Sequence, residues 1–212
     1  MTDFTLKRPR GRPTGTKKEG VVRELTPAQQ DDLFRAARRR GIREEFLLRL
    51  TYSLALRVKE AVELRLEDFD NSTKEVLIRG CKGGETRHYQ LADLWPLYEQ
   101  WRKERDATTP PSNPFLFPHR LRPADDHLTR EGAKSLFYTV AKAAEIKGHS
   151  IHDLRHSIAQ DMANAGDPQV MIAAWLRHQS MESSSRYVST RITQAHQEMM
   201  MERRRRRWRG RR

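Results

Sequence analysis

The chain of 212 residues has one cysteine, Cys81. A single thiol excludes an internal disulfide framework and any cysteine-ligated zinc site. Long apolar runs are missing too: none approaches the roughly 20 residues that a membrane-crossing helix needs. The first 20 residues lack the apolar core of a secretory signal, so a reducing cytoplasmic setting is expected. Acidic residues are in deficit, 28 against 41 lysines and arginines, for a net charge of +13. An excess of this size points to a polyanionic partner without naming it.

The charge is unevenly placed. Residues 1–20 hold Lys7, Arg8, Arg10, Arg12, Lys17 and Lys18 against Asp3 and Glu19, a surplus of +4. Residues 202–212 hold eight arginines against Glu202, a surplus of +7, so 21–201 is only +2. Three parts are expected: a basic arm over 1–24, a globular domain over 25–190, and a C-terminal helix with an arginine-rich tail over 191–212. The arms have little apolar surface to bury and are expected to be disordered when free.

Within the body, Thr26 and Pro27 signal a helix start, and Gly41 its end after Arg40. Residues 43–65 read as mostly helical with an apolar stripe of Phe46, Leu47, Leu50, Leu54 and Val58, and with a break between Ser53 and Arg57. A polar turn over 67–73 precedes strand, glycine-rich turn and strand over 75–91. Another helix is expected from Asp93 to Asp106. Half of the ten prolines fall between Pro110 and Pro123, so 107–128 reads as an internal excursion. Helices resume over 129–147, 152–165 and 168–177, and again from Glu182. The fold class is therefore mostly α with a small antiparallel sheet, an α+β domain.

Several residues could converge on one phosphate. His152 and Arg155 stand three apart, on one helix face, where a guanidinium fork and an imidazole suit a phosphodiester. Arg57 has Glu60 three residues on to hold it. Lys82 sits in the glycine-rich turn, His178 follows the apolar stretch 170–176, and Tyr187 lies nine residues further. Singly, each also reads as an ordinary helix-end, turn or packing residue.

In this order and spacing, the segments Leu54-Ala55-Leu56-Arg57-Val58-Lys59-Glu60, Gly80-Cys81-Lys82-Gly83, His152-Asp153-Leu154-Arg155-His156-Ser157, Leu176-Arg177-His178 and Arg186-Tyr187 resemble the tyrosine recombinases, or phage integrases. Pro114-Phe115-Leu116-Phe117-Pro118 resembles the family's link between the halves of its catalytic domain. The resemblance runs from about Leu25 to Thr190. It implies Tyr187 as nucleophile, with Arg57 and Arg155 on the non-bridging phosphate oxygens. His152 and His178 would complete the pocket, His152 as proton acceptor, and Lys82 would protonate the leaving 5′ oxygen. The product would be a 3′-phosphotyrosine link.

Neither metal nor cofactor is expected. Two arginines can stabilise the phosphoryl charge, and exchange of one phosphoester for another conserves bond energy. Double-stranded DNA is the expected partner, bound by a homo-tetramer or with a partner recombinase, in the nucleoid and with no membrane contact.

The sequence departs from the family pattern at Ala55 and Arg177, where glycine is usual. Arg177 is expected to add bulk and charge beside His178. Only some 24 residues precede the body, so no separate DNA-clamping domain is expected ahead of it, and the chain resembles single-domain members such as fimbrial inversion recombinases. The arms could supply grip. Arg10-Gly11-Arg12-Pro13 resembles an AT-hook for a narrow minor groove, with a generic basic tail as the alternative. Arg203, Arg204, Arg205, Arg206 and Arg207 would hold phosphates without sequence choice. Two other functions stay open: relaxation of supercoils in the manner of a type IB topoisomerase, and DNA binding on a scaffold without turnover.

Overall fold

The structure is a computed structural model that describes residues 24–80, 86–122, 124, 126–177 and 201–202. Helix α1 (Pro27–Arg40) starts where its local chemistry demands. Thr26 Oγ1 accepts from the Gln29 amide, and Gln29 Oε1 accepts from the Thr26 amide, which satisfies two otherwise orphaned N–H groups. Pro27 fills the first turn, where no amide is needed. Gly41 ends the helix at φ 147°, a conformation that disfavours any residue with a Cβ.

Helix α2 (Ile42–Ser53) is the central element. It packs against α1, α4 (Trp95–Thr108) and α6 (Asp153–Asn164). The apolar stripe expected of it is too narrow a description, because residues on every side of it are buried. Its polar N-terminal residues are buried as well, and each is paired. Glu45 meets Arg38 and Arg49, Glu44 meets Arg120, and Arg43 Nη2 donates to Pro118 O. Such pairing is what allows charged groups to leave water.

The expected break is present. After Ser53 the chain turns through Ala55 at φ 49° and re-enters a short helix, α3 (Val58–Val62), with Arg57 extended at its start. The polar turn expected over 67–73 is corrected: Leu66–Asp68 forms a 3-10 turn, and Phe69–Asp70 pairs as strand β1. The sheet is antiparallel in the order β1, β2 (Glu75–Ile78), β3 (Arg87–Gln90), with Phe69 opposite Val76 and Val76 opposite Tyr89. The strand alternation turns Val76, Ile78 and Tyr89 inward. Phe69 stacks flat on Tyr98 at 4.4 Å and so docks the sheet against α4.

The proline-rich segment after α4 is built into the core. Leu116 and Phe117 are completely buried. Trp101 Nε1 donates to Leu116 O, and the buried Arg105 donates to Phe115 O and Asn113 O. The Leu116 amide reaches Leu64 O at 2.8 Å and the Leu66 amide reaches Pro114 O at 2.8 Å. Prolines set the local path, but the backbone partners come from elsewhere in the chain.

Thr129 caps α5 (Arg130–Ala143), which stops four residues short of the expected end. Helix α6 is anchored by Ser157 Oγ, which accepts from the Leu25 amide, and by Asp161, which accepts from Tyr52 Oη. Helix α7 (Gln169–Trp175) completes the described fold. Among the described residues, no helix is long and apolar enough to cross a membrane.

Phe117 stacks on Trp101 and packs against Phe46. Phe117→Ala should therefore cost about 3–5 kcal/mol, read as a lower midpoint in urea unfolding. The transition should stay single if 107–128 belongs to the same core.

Candidate active site

The bend between α2 and α3 brings the first candidate residue to the surface. Arg57 sits at the start of α3 with its side chain about one-third exposed (33%), while the Glu60 side chain is completely buried. Glu60 Oε2 accepts from the Arg57 backbone amide at 2.9 Å, and Oε1 accepts from Arg57 Nη1 at 2.8 Å. One carboxylate thus caps the helix and orients the guanidinium.

Arg155 comes from α6, far away in sequence. Its guanidinium is buried, with Nη1 donating to Ala55 O and Nη2 to Leu176 O. It therefore ties α6 to the α2–α3 bend and to the end of α7. Burial, then the charges of Arg177 and Arg57, lower its pKa to about 10. It remains protonated at neutral pH.

His152 immediately precedes α6 and is exposed. Its ring lies 5.1 Å from that of His156, nearly perpendicular to it. Partial desolvation, then the charges of His156, Arg155 and Arg57, outweigh Asp153 and hold its pKa below the ordinary histidine value. A neutral imidazole at physiological pH can accept a proton. The structure thus gathers two guanidiniums and a neutral base around one bend, an arrangement suited to a tetrahedral or phosphoryl oxyanion.

Lys82, His178 and Tyr187 lie outside the described residues, as do Arg10, Gly11, Arg12, Pro13 and Arg203, Arg204, Arg205, Arg206 and Arg207. Among the described residues, no group of histidine, cysteine, aspartate and glutamate could hold a metal ion.

The part played by Arg177 was not foreseen. Its side chain turns inward and is completely buried, so its bulk is taken into the core. Nη2 donates to Glu60 Oε2 at 2.8 Å and to Ala55 O at 3.0 Å; Nη1 donates to Leu54 O and Tyr89 Oη, both at 2.9 Å. The residue stands at φ 53°, in the left-handed region, as does Ala55. Both positions where the sequence replaces an expected glycine are thus backbone bends that favour glycine. Nothing in the local sequence marks Arg177 as the partner of a carboxylate 117 residues earlier.

The chain is similar to known proteins in both sequence and fold. The phage integrase family model matches residues 23–193, and the chain belongs to that family. Tyrosine recombinase XerA of Pyrococcus horikoshii is 28% identical over 160 residues, 74% of this chain and 53% of that protein. The integrase of mycobacterium phage Brujita is 25% identical with a TM-score of 0.68, covering 92% of this chain and 61% of that one. The XerH site-specific recombinase bound to difH substrate in a pre-cleavage complex has the same fold. Its TM-score is 0.64 at 20% identity, over 75% of this chain and 48% of that one. The chain spans about half the length of the curated relatives it matches.

Burial pushes the Glu60 carboxyl up, but the Arg177 charge and the hydrogen bonds from Arg57 and Arg177 hold it below the usual carboxylate range. Its stabilising contribution is therefore complete above the unfolded value and lost as pH falls through the lower folded one. Glu60→Gln should cost about 3–5 kcal/mol at neutral pH, because it strands a buried guanidinium. Urea unfolding of both proteins across the acid range should show this gap narrowing below pH 4.5, the carboxyl's ordinary value.

Proposed function

We propose that the protein is a site-specific DNA recombinase, cleaving and rejoining duplex DNA through a 3′-phosphotyrosine intermediate. The observation that carries this reading is the convergence of Arg57 and Arg155 at the α2–α3 bend, in a chain of the phage integrase family. The two guanidiniums hold the non-bridging oxygens of the scissile phosphate. The Tyr187 oxygen attacks phosphorus, and its proton passes to His152. The bond from phosphorus to the 5′ oxygen breaks, Lys82 protonates that oxygen, and His178 completes the pocket. Rejoining reverses these steps.

A phenol with a pKa near ~10 needs such a setting to attack at neutral pH. Energy is conserved in the phosphotyrosine, so the cycle requires neither ATP nor metal. The partners are double-stranded DNA and further recombinase protomers, as a tetramer or with a second recombinase, which gives the protein a nucleoid location. XerH bound to difH is a relative in fold that acts on DNA, which supports this partner. The basic arms, with the hook-like Arg10-Gly11-Arg12-Pro13 and the run Arg203–Arg207, add sequence-independent grip.

A duplex of the cognate site, nicked so that the cleaved end diffuses away, should trap a covalent protein–DNA adduct in denaturing gels. Tyr187→Phe should form none, and Arg155→Ala should lower single-turnover cleavage by about 10²–10³-fold. An adduct that persists in Tyr187→Phe would remove that residue as nucleophile.

Deletion of residues 1–20 and 203–212 should weaken binding and flatten its salt dependence, by about 0.9 in log–log slope for each phosphate no longer neutralised. Fluorescence anisotropy across a salt series measures this. Equal affinity and slope would show that the arms do not grip DNA.

A further inference from the structure

The site contains more arginine than phosphate binding requires. Arg57 starts α3 and Arg155 donates to Ala55 O in the α2–α3 bend, close enough that the Arg57 charge acts on Arg155, while the Arg177 side chain has no exposure at all. An arginine completely removed from water needs a charged partner. Arg177 has Glu60, whose two oxygens are divided: Oε1 takes Arg57 Nη1, and Oε2 takes Arg177 Nη2 and the Arg57 amide. The same guanidinium meets Arg155 at a shared acceptor, Ala55 O. It also spans to Tyr89 Oη on β3 and Leu54 O at the end of α2. Arg177 is thus the group that joins the part-exposed Arg57 to the buried Arg155, the first through a carboxylate and the second through a carbonyl.

The charge balance gives this arrangement a consequence. With Glu60 and Arg57 alone, the carboxylate would neutralise the arginine meant for the ligand. Arg177 neutralises it from the buried side, so that with Arg155 the group keeps two positive charges in excess. We propose that Arg177 is a positioning residue, which takes up the buried Glu60 carboxylate and leaves the charges of Arg57 and Arg155 available to one phosphate. This deepens the recombinase reading and rests on its assignment of those two arginines as phosphate ligands. Low dielectric around the buried pair makes the balance count for more than it would in water.

The position accepts substitution without backbone penalty in one case: at φ 53° glycine is at ease. The test uses the full chain and two probes. Inorganic phosphate is titrated while the arginine Nε–H resonances of Arg57 and Arg155 are followed, and single-turnover cleavage of a nicked duplex is measured at saturating DNA. Arg177→Met and Arg177→Gly should weaken phosphate binding about tenfold and slow cleavage by about 10–100-fold, a loss below that for removing a direct donor. Arg177→Lys keeps the charge and should recover most of the phosphate affinity. The double variant Glu60→Gln, Arg177→Met restores the charge balance without the buried Glu60–Arg177 ion pair and should bind phosphate within about threefold of the parent.

Parent-like phosphate affinity and cleavage in Arg177→Met would overturn the proposal, as would a lysine variant or a double variant as impaired as Arg177→Met. If Arg177→Met and Arg177→Gly fail to unfold cooperatively, the lysine and double variants decide. Near-parent affinity in both supports the proposal, and a tenfold loss in either overturns it. A parent protein that forms no adduct yet shows this phosphate pattern would remove the recombinase reading and leave the role of Arg177 standing.

Discussion

A single carboxylate, Glu60, holds together the face around the α2–α3 bend. It is completely buried, and burial alone would make its charge intolerable. Arg57 on the solvent side and Arg177 on the core side make it tolerable, and in return it fixes both. Helix α3 has only five residues, too few to persist on its own propensity. Its start is secured by the Glu60 side chain on the Arg57 amide. The direction of Arg57, the presence of α3 and the seat of the α7 end all follow from one ion cluster.

Two left-handed residues give that cluster its shape. Ala55 and Arg177 adopt φ 49° and φ 53°, a conformation that costs an L-residue roughly 1–2 kcal/mol. The bend at Ala55 points its carbonyl at both Arg155 and Arg177. The bend at Arg177 turns a long side chain back under the site instead of out to solvent. Charged hydrogen bonds of the kind found here offset strain of that size. Glycine would relieve the strain at either position, but at 177 it would also leave the carboxylate with a single guanidinium.

The division of charge along the chain matches this. The arms carry most of the +13 surplus, and the body is nearly neutral. Local charge at the site depends on which ions are paired, not on how many there are. Pairs such as Glu45 with Arg49 and Glu44 with Arg120 contribute to packing and leave little field of their own. A count of lysines and arginines separates arm from body, yet it cannot tell Arg57 from Arg105, whose buried guanidinium is committed to the carbonyls of Phe115 and Asn113.

Elements whose causes are local were legible in the amino-acid order. Thr26, Pro27 and Gly41 bound α1, and the spacing of Arg57 to Glu60 and of His152 to Arg155 places each pair on neighbouring turns, because a helix repeats every three to four residues. The two-residue strand β1 was not legible, since it exists only through its pairing with β2. Nor was the packing of 107–128, whose prolines conceal backbone bonds to Leu64 and Leu66. Arg177 is the plainest case. Its letter shows one more cation at a glycine position, while all its partners but the Trp175 carbonyl, namely Leu54, Ala55, Glu60 and Tyr89, lie 88 or more residues earlier. Periodicity carries information over a few turns of chain. The convergence of three arginines on one carboxylate and one carbonyl arises only when the packed core brings distant segments into contact.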